Sequence, residues 1–170
     1  MKLFKRLMTA LLAGVLAVGM LAGCSGTNAP KAPEVPTDVD ALAVYNEYQK
    51  ALENFNFDVE LAYNKELSEI AADYAKAQAV TNYTAKQNAQ NAALTRLSSV
   101  TTLDNVIYCT ASAGKYTEPT AEDSYKNYYS TLKTALTSPN RANYMGIAVV
   151  DVNGTKYTCT IFVRADKAAV

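Results

Sequence analysis

The side chains that most often carry out catalysis are scarce in this chain. Its 170 residues include no histidine, three cysteines, 16 acidic residues and 16 basic residues. The absence of histidine excludes a Ser-His-Asp triad, a Cys-His pair and any metal site or general base built on imidazole. The seven glycines are scattered, so no glycine-rich phosphate loop is present. We therefore assign no catalytic residue, no metal site and no cofactor from the sequence.

The thiol with the clearest chemical context is that of Cys24. Residues 1–23 have a positively charged start, an uncharged apolar middle and no acidic residue, which is typical of a secretory leader. Residues 21–24 (Leu-Ala-Gly-Cys) resemble the lipobox of bacterial lipoproteins, in which the cysteine sulfur takes a diacylglyceryl group. We predict cleavage after residue 23, lipidation of Cys24 and a location in the bacterial cell envelope, since two acyl chains suffice for stable anchoring. The alternative is an uncleaved anchor with a chance cysteine.

The other two cysteines, Cys109 and Cys159, form an even pair in a chain expected to reach an oxidising compartment. Such a pair favours a disulfide. The bridge would close a loop of ~50 residues and stabilise the fold by about 4 kcal/mol in the chain-entropy model. Two buried, reduced thiols are the alternative.

Three acidic residues lie close together at Glu118, Glu122 and Asp123. Paired carboxylates can cleave glycosidic bonds. Their position at a predicted helix start is also explained by the helix dipole, which favours acidic residues in the first turn. The spacing of a calcium loop is missing.

Tyr125, Tyr128 and Tyr129 lie on the same predicted helix. The last two are adjacent and point about 100° apart, so one of them must leave the core face. A tyrosine that points outward offers an apolar face and a polar tip to a glycan or a peptide.

The charge of the exported chain argues against nucleic acid as a partner. Removal of residues 1–23 leaves 147 residues with 13 basic and 16 acidic side chains, a net charge of −3. This length suits one domain with its own core. A basic surface, which nucleic-acid binding requires, is not expected.

Residues 24–37 are predicted to form a tether, because Pro30, Pro33 and Pro36 recur at every third position. Proline-rich segments are extended and semi-rigid. A single domain is expected over residues 38–166. Helical periodicity of apolar residues predicts helices over residues 38–55, 64–80 and 120–137. Residues 84–96 are compatible with a surface helix or with an irregular connection.

The strands are predicted near the end of the chain. Residues 106–110 are β-branched and aromatic, which favours a strand. Asn153-Gly154 between residues 145–152 and 155–164 predicts a hairpin with a type I′ turn. The second hairpin strand should place Cys159 in the core, within reach of Cys109. The element order predicts an α+β fold, a three-layer-like sandwich of helices around a small antiparallel sheet.

Five short segments of the sequence occur in a defined order. They are Asn46-Glu47, Leu61-Ala62-Tyr63-Asn64-Lys65-Glu66-Leu67, Asp104-Asn105-Val106, Ser138-Pro139-Asn140-Arg141-Ala142-Asn143 and Met145-Gly146-Ile147-Ala148. Their order and spacing resemble the CAP superfamily (cysteine-rich secretory, antigen 5 and pathogenesis-related proteins), in its bacterial SCP-like branch. The resemblance covers residues 40–164 and implies a CAP-like sandwich that closes with the hairpin.

Many members of that family gather two histidines and two acidic residues in a central cleft that can hold a metal ion. This chain has no histidine, and Asn140 stands where the family has Gly-His. The resemblance therefore implies a cleft without metal, formed by Asp104, Asn140 and Arg141. The alternative is that Asp104 hydrogen-bonds a turn and that Arg141 lies on the surface.

These observations lead to three hypotheses about function. The first is a membrane-anchored CAP-like domain that binds an envelope, lipid or extracellular partner without catalysis. The second is a hydrolase of the cell wall or of peptides that uses Asp104 or the cluster of residues 118–123. The third is a structural envelope lipoprotein with no ligand.

Overall fold

A four-stranded sheet forms the middle of the fold. The computed structural model describes residues 33–137 and 141–168, so the leader, Cys24, most of the tether and Asn140 lie outside the described residues. The strands, in the order β1-β3-β4-β2 across the sheet, are β1 (Ala62–Tyr63), β2 (Leu103–Lys115), β3 (Tyr144–Val152) and β4 (Thr155–Lys167). The sequence predicts an antiparallel sheet, but β1 pairs with β3 in parallel. The observed sheet is therefore mixed.

The C-terminal hairpin forms where the sequence predicts it. Val152 pairs with Thr155 across a two-residue turn. Asn153 and Gly154 have φ angles of 53° and 77°, and a type I′ turn requires positive φ at both positions. The Gly154 N–H also donates a hydrogen bond to Asp151 Oδ1 at 2.8 Å.

Within residues 33–137 and 141–168, four α-helices accompany the sheet: α1 (Val39–Asn54), α2 (Lys65–Ala77), α3 (Tyr83–Thr95) and α4 (Tyr129–Thr137). Helices α1, α2 and α3 begin after Asp38, Asn64 and Asn82, whose side chains each accept a hydrogen bond from a backbone N–H three residues later. The segment that the sequence left undecided is thus the capped helix α3. In the described part of the chain, no helix has the length and apolar character needed to cross a membrane.

The helix predicted from residue 120 begins later than expected. A 3₁₀ helix spans Ser124–Tyr128 and leads directly into α4. Glu122 and Asp123 consequently precede the helical segment, and Asp123 instead forms an exposed ion pair with Lys126 at 2.9 Å. Asp123 directly precedes the 3₁₀ helix, but its side chain makes no capping hydrogen bond.

Two hydrophobic clusters pack on opposite faces of the sheet. One contains residues of α1 and α4 together with Met145, Ile147 and Phe162 of the sheet. The other contains residues of α2 and α3 together with Ile161 and Val163. The alternation of neighbouring β4 residues between the clusters is expected for a strand covered on both faces. The predicted α+β class with helices around a sheet is confirmed.

Helix α2 approaches β3 most closely at Gly146. A Cβ atom built on Gly146 would lie 2.2 Å from the carbonyl carbon of Leu67. Near this point, Ser68 Oγ accepts a hydrogen bond from the Ile147 N–H at 3.1 Å. Only a residue without a side chain allows the helix backbone to lie this close to the strand.

Candidate functional site

A cavity of about 420 Å³ opens beside the α1 face of the sheet, where β2 ends and the 3₁₀ helix begins. Its wall combines side chains of α1, the 3₁₀ helix, β2, β4 and residues 115–121. Most of its polar atoms are hydroxyls, including those of Tyr48, Ser112, Tyr116, Ser124, Thr158 and Thr160. Concave sites that join aromatic faces with a few fixed polar groups are typical of ligand-binding pockets.

Tyr48 forms the floor of this cavity. Its ring is buried and makes edge contacts with Tyr128 and Phe162, at centroid distances of 4.6 and 5.4 Å. Its hydroxyl is hydrogen-bonded to Thr160 and Ser112, while burial raises the pKa of the phenol well above its usual range. Tyr48 therefore stays neutral and holds the two strand hydroxyls in place.

A buried carboxylate fixes the 3₁₀ helix that forms one side of the cavity. Glu47 on α1 is only 3% exposed. It accepts hydrogen bonds from Ser124 Oγ and from Lys50 Nζ, the latter at 2.5 Å. A buried carboxylate is costly unless it is paired and hydrogen-bonded. These two partners compensate Glu47 and tie the Ser124 segment to α1.

Two hydroxyls in the wall lack well-formed hydrogen bonds. Among the described residues, Thr158 Oγ1 has no hydrogen-bond partner, and Tyr116 Oη makes no hydrogen bond of good geometry although Asp40 lies beside it. Burial raises the pKa of the Tyr116 phenol to about 12, and the nearby carboxylate of Asp40 contributes to this increase. Buried polar groups in folded proteins are nearly always satisfied, so a polar occupant of the cavity is the natural partner of Thr158 Oγ1.

A hydrogen bond from Lys156 lowers the pKa of Asp40 at the edge of this region. The Lys156 ammonium also lies 5.8 Å from the centre of the Tyr116 ring. Asp40 therefore remains ionised and fixes Lys156 beside the Tyr116 ring.

Among the described residues, no hydrogen bond or ion pair joins Asp104 to Arg141. Asp104 is exposed on β2, at one edge of the sheet, opposite Asp166 of β4. Arg141 is exposed and donates a hydrogen bond to Asp58 O at 2.7 Å, in the connection that leads to β1 at the other edge.

Asn140, the third residue of the predicted cleft, lies outside the described residues. Within the described ranges, no group of three or more His, Cys, Asp or Glu residues could hold a metal ion.

Of the clustered acidic and tyrosine residues noted in the sequence, some line the cavity and others lie outside it. Glu118 and Tyr128 line the cavity. Tyr129 is the tyrosine that leaves the core face, with 40% of its surface exposed, and its ring packs against Phe55 at a centroid distance of 4.6 Å. Asp104 lies at the start of β2, whereas Glu118 follows the other end of this strand at Lys115.

The residues that sequence reasoning missed are Glu47, Tyr116, Thr158 and Thr160. Glu47 had a usable pattern, because it shares a helical face with Val44 and Ala51, and a charge inside an apolar stripe usually has a buried partner. The strand and loop residues carried no such pattern.

The expected disulfide between Cys109 and Cys159 is not formed. Cys159 is paired with Ala113 across the strands, whereas Cys109 lies at a register shift opposite Phe162 and Val163. This displacement along β4 amounts to ~10 Å, and a disulfide requires Cα atoms within about 7 Å. The two side chains also belong to opposite faces of the sheet.

The two thiols should therefore differ in reactivity rather than form a bridge. Burial raises the pKa of both thiols, and Cys159 is fully buried whereas Cys109 is half-buried. We expect iodoacetamide to modify Cys109 about 100-fold faster than Cys159 in the native protein, since only accessible thiolate reacts. Mass spectrometry after timed labelling measures both rates, and labelling in denaturant should equalise them. An unreactive pair with the mass of a bridged protein would contradict this structure.

No protein-family model matches the chain, and no curated protein matches it either. The function is therefore inferred from the residues and their geometry.

Proposed function

We propose that this protein is a lipid-anchored binding module of the bacterial envelope, with a CAP-like domain that holds a hydroxyl-rich ligand such as a cell-wall saccharide. The anchor is supported by the charged and apolar leader that ends at Leu-Ala-Gly-Cys24. The α+β sandwich with helices on both faces is compatible with a CAP-like domain.

The observation that carries the ligand assignment is the cavity beside α1. Hydroxyls from six segments, including that of Thr131 on α4, converge on it, and Thr158 Oγ1 has no hydrogen-bond partner in the wall. Saccharide hydroxyls both donate and accept, so they suit a wall whose polar atoms do the same. The rings of Tyr116 and Tyr128 supply the apolar faces against which sugar rings pack.

Catalysis is not part of this proposal. The only acidic side chain in the cavity wall of the described chain is Glu118, and glycoside cleavage normally uses two carboxylates. Glu47 is engaged with Ser124 and Lys50.

The experiment is calorimetric titration of the full lipoprotein, in non-ionic detergent, with the β-1,4-linked tetramer of N-acetylglucosamine. We expect Asn127→Ala, which shortens a side chain of the wall, and Tyr116→Phe, which removes only a hydroxyl, each to weaken binding about tenfold, or ~1.4 kcal/mol. The matched control is Lys126→Ala, because Lys126 neighbours Asn127 on the same 3₁₀ helix but lies outside the wall.

Absence of binding by the wild-type protein, or an equal loss in all three variants, would contradict a saccharide site in this cavity. Cleavage of the tetramer during the titration would favour the hydrolase hypothesis instead.

A further inference from the structure

The two edges of the sheet are built differently. At one edge, the pairing of β2 with β4 contains two register shifts, and such irregularities discourage the addition of another strand. At the other edge, β3 pairs with β4 without interruption. The short β1 covers only Tyr144 and Met145 of β3, which leaves the rest of this edge open.

The turn of the hairpin determines which backbone groups of β3 face the open edge. In a two-residue hairpin, the residues that flank the turn, here Val152 and Thr155, exchange hydrogen bonds, and hydrogen-bonded pairs then alternate along the strands. The odd-numbered residues of β3 therefore direct their backbone groups away from β4. In agreement, Met145 O accepts from the Asn64 N–H at 2.9 Å.

The alternation leaves one continuous stretch of the edge without a partner strand. The outward N–H of Ile147 already donates a hydrogen bond to Ser68 Oγ. Beyond it, no described residue hydrogen-bonds the outward backbone groups of Val149 or Asp151. These two residues offer N–H and C=O groups at the spacing that an added β-strand requires.

A groove runs along this open edge between the start of α1 and α2, with a volume of about 270 Å³. Its walls carry small side chains, namely Ala41 on α1 and Ala72 on α2, while Ala148 and Val149 form the floor. Side chains of an added strand alternate between its two faces. The groove therefore has room for an extended peptide whose side chains point toward α1 and α2 in turn.

The rim of the groove is mainly acidic. The exposed Asp38 and Glu69 line the groove, and the exposed Asp151 follows on β3 just beyond it. Lys65 also lines the groove, whereas the nearby Lys156 is already paired with Asp40. Pairing of this edge with a second copy would bring two acidic rims together, but a basic segment would be attracted to the rim.

We propose that the open edge of β3 binds an extended segment of a partner protein by strand addition, and that this segment alternates basic and β-branched residues. The site is distinct from the cavity beside α1 and does not depend on the saccharide assignment.

The test uses the full lipoprotein in non-ionic detergent and a fluorescent Lys-Val-Lys-Val-Lys-Val peptide. We expect fluorescence anisotropy to show about tenfold tighter binding than for Glu-Val-Glu-Val-Glu-Val. N-methylation of alternate residues should weaken binding about tenfold, because it removes the donors that an added strand presents.

Two variants test the place of binding. Val149→Pro removes a backbone N–H that points away from β4, so the hydrogen bonds between β3 and β4 are kept. Edge strands tolerate proline at such positions. The variant should weaken binding of the Lys-Val peptide about tenfold. Glu69→Lys reverses one charge of the rim and should weaken it about fivefold. Glu53→Lys, at the far end of α1, is the matched control and should have no effect, and Asn127→Ala in the cavity should leave peptide binding unchanged.

Equal affinity for the two peptides, or binding that neither Val149→Pro nor Glu69→Lys weakens, overturns the proposal. Concentration-dependent dimerisation that Val149→Pro abolishes also overturns it, because the edge would then belong to a second copy. Far-ultraviolet circular dichroism must show that Val149→Pro is folded. If it is not folded, the effect of Glu69→Lys on peptide binding decides the test.

Discussion

Gly146→Ala is expected to destabilise the folded domain by about 3 kcal/mol, at the upper end of the usual cost of overpacking a core. The added methyl group would lie 2.2 Å from the carbonyl carbon of Leu67 and 2.5 Å from the Ser68 nitrogen. Both are backbone atoms of α2, so no rotation of a side chain can relieve the clash. The helix would have to move away from β3, which would open the packing around Leu67 and strain the hydrogen bond from the Ile147 N–H to Ser68 Oγ.

Chemical denaturation followed by circular dichroism measures this effect as a lower midpoint with an unchanged slope. The matched control is Gly114→Ala, because Gly114 also lies in a strand and a Cβ atom there has nothing within 4 Å. We expect Gly114→Ala to change stability by less than about 1 kcal/mol. Equal losses in the two variants would mean that the approach of α2 to β3 is not as tight as the structure indicates.

Cys24→Ser is expected to abolish incorporation of radiolabelled palmitate and to stop processing at residue 23. The thiol of Cys24 is the only nucleophile at the end of the leader that can take the diacylglyceryl group under the lipobox prediction. Cleavage depends on this modification, so the variant should run on gels as the longer precursor. Both results come from one labelling experiment in growing bacterial cells.

Cys109→Ser serves as the control, because it removes a thiol of the folded domain and leaves the leader intact. It should keep both the label and the mature size. If Cys24→Ser is processed and labelled like the wild-type protein, the chain is not a lipoprotein, and its proposed place in the envelope loses its support.

Local sequence patterns were sufficient for the elements whose geometry depends on a few neighbouring residues. Asn153 and Gly154 predict their own turn because both residues tolerate positive φ. Helix α2 was recognisable from its apolar stripe, which contains Leu67, Ile70 and Ala71. In α1 the buried residues are Ala41, Val44, Glu47, Tyr48, Ala51 and Leu52, and this face is harder to recognise because it includes a charged residue and two alanines.

The pairing of the cysteines could not be decided from their number. A disulfide needs both sulfur atoms on one face of the sheet and at one level along the strands. The pairing of β2 with β4 contains a register shift at Cys109. It also directs the Cys109 and Cys159 side chains to opposite faces of the sheet. That pairing joins residues about 50 positions apart, and no local pattern encodes its irregularities.

The sequence by itself was sufficient to predict the α+β class, the hairpin and a lipid anchor, and to exclude sites built on histidine. Each of these depends on composition or on residues close together in the chain. Only the tertiary structure decided which polar groups meet. It directed Arg141 to the carbonyl of Asp58, assembled the hydroxyls of Tyr48, Thr158 and Thr160 around one cavity, and left most of the β3 edge without a partner strand. These outcomes follow from strand order and helix packing, which depend on the summed burial of apolar surface over the whole domain rather than on any short segment.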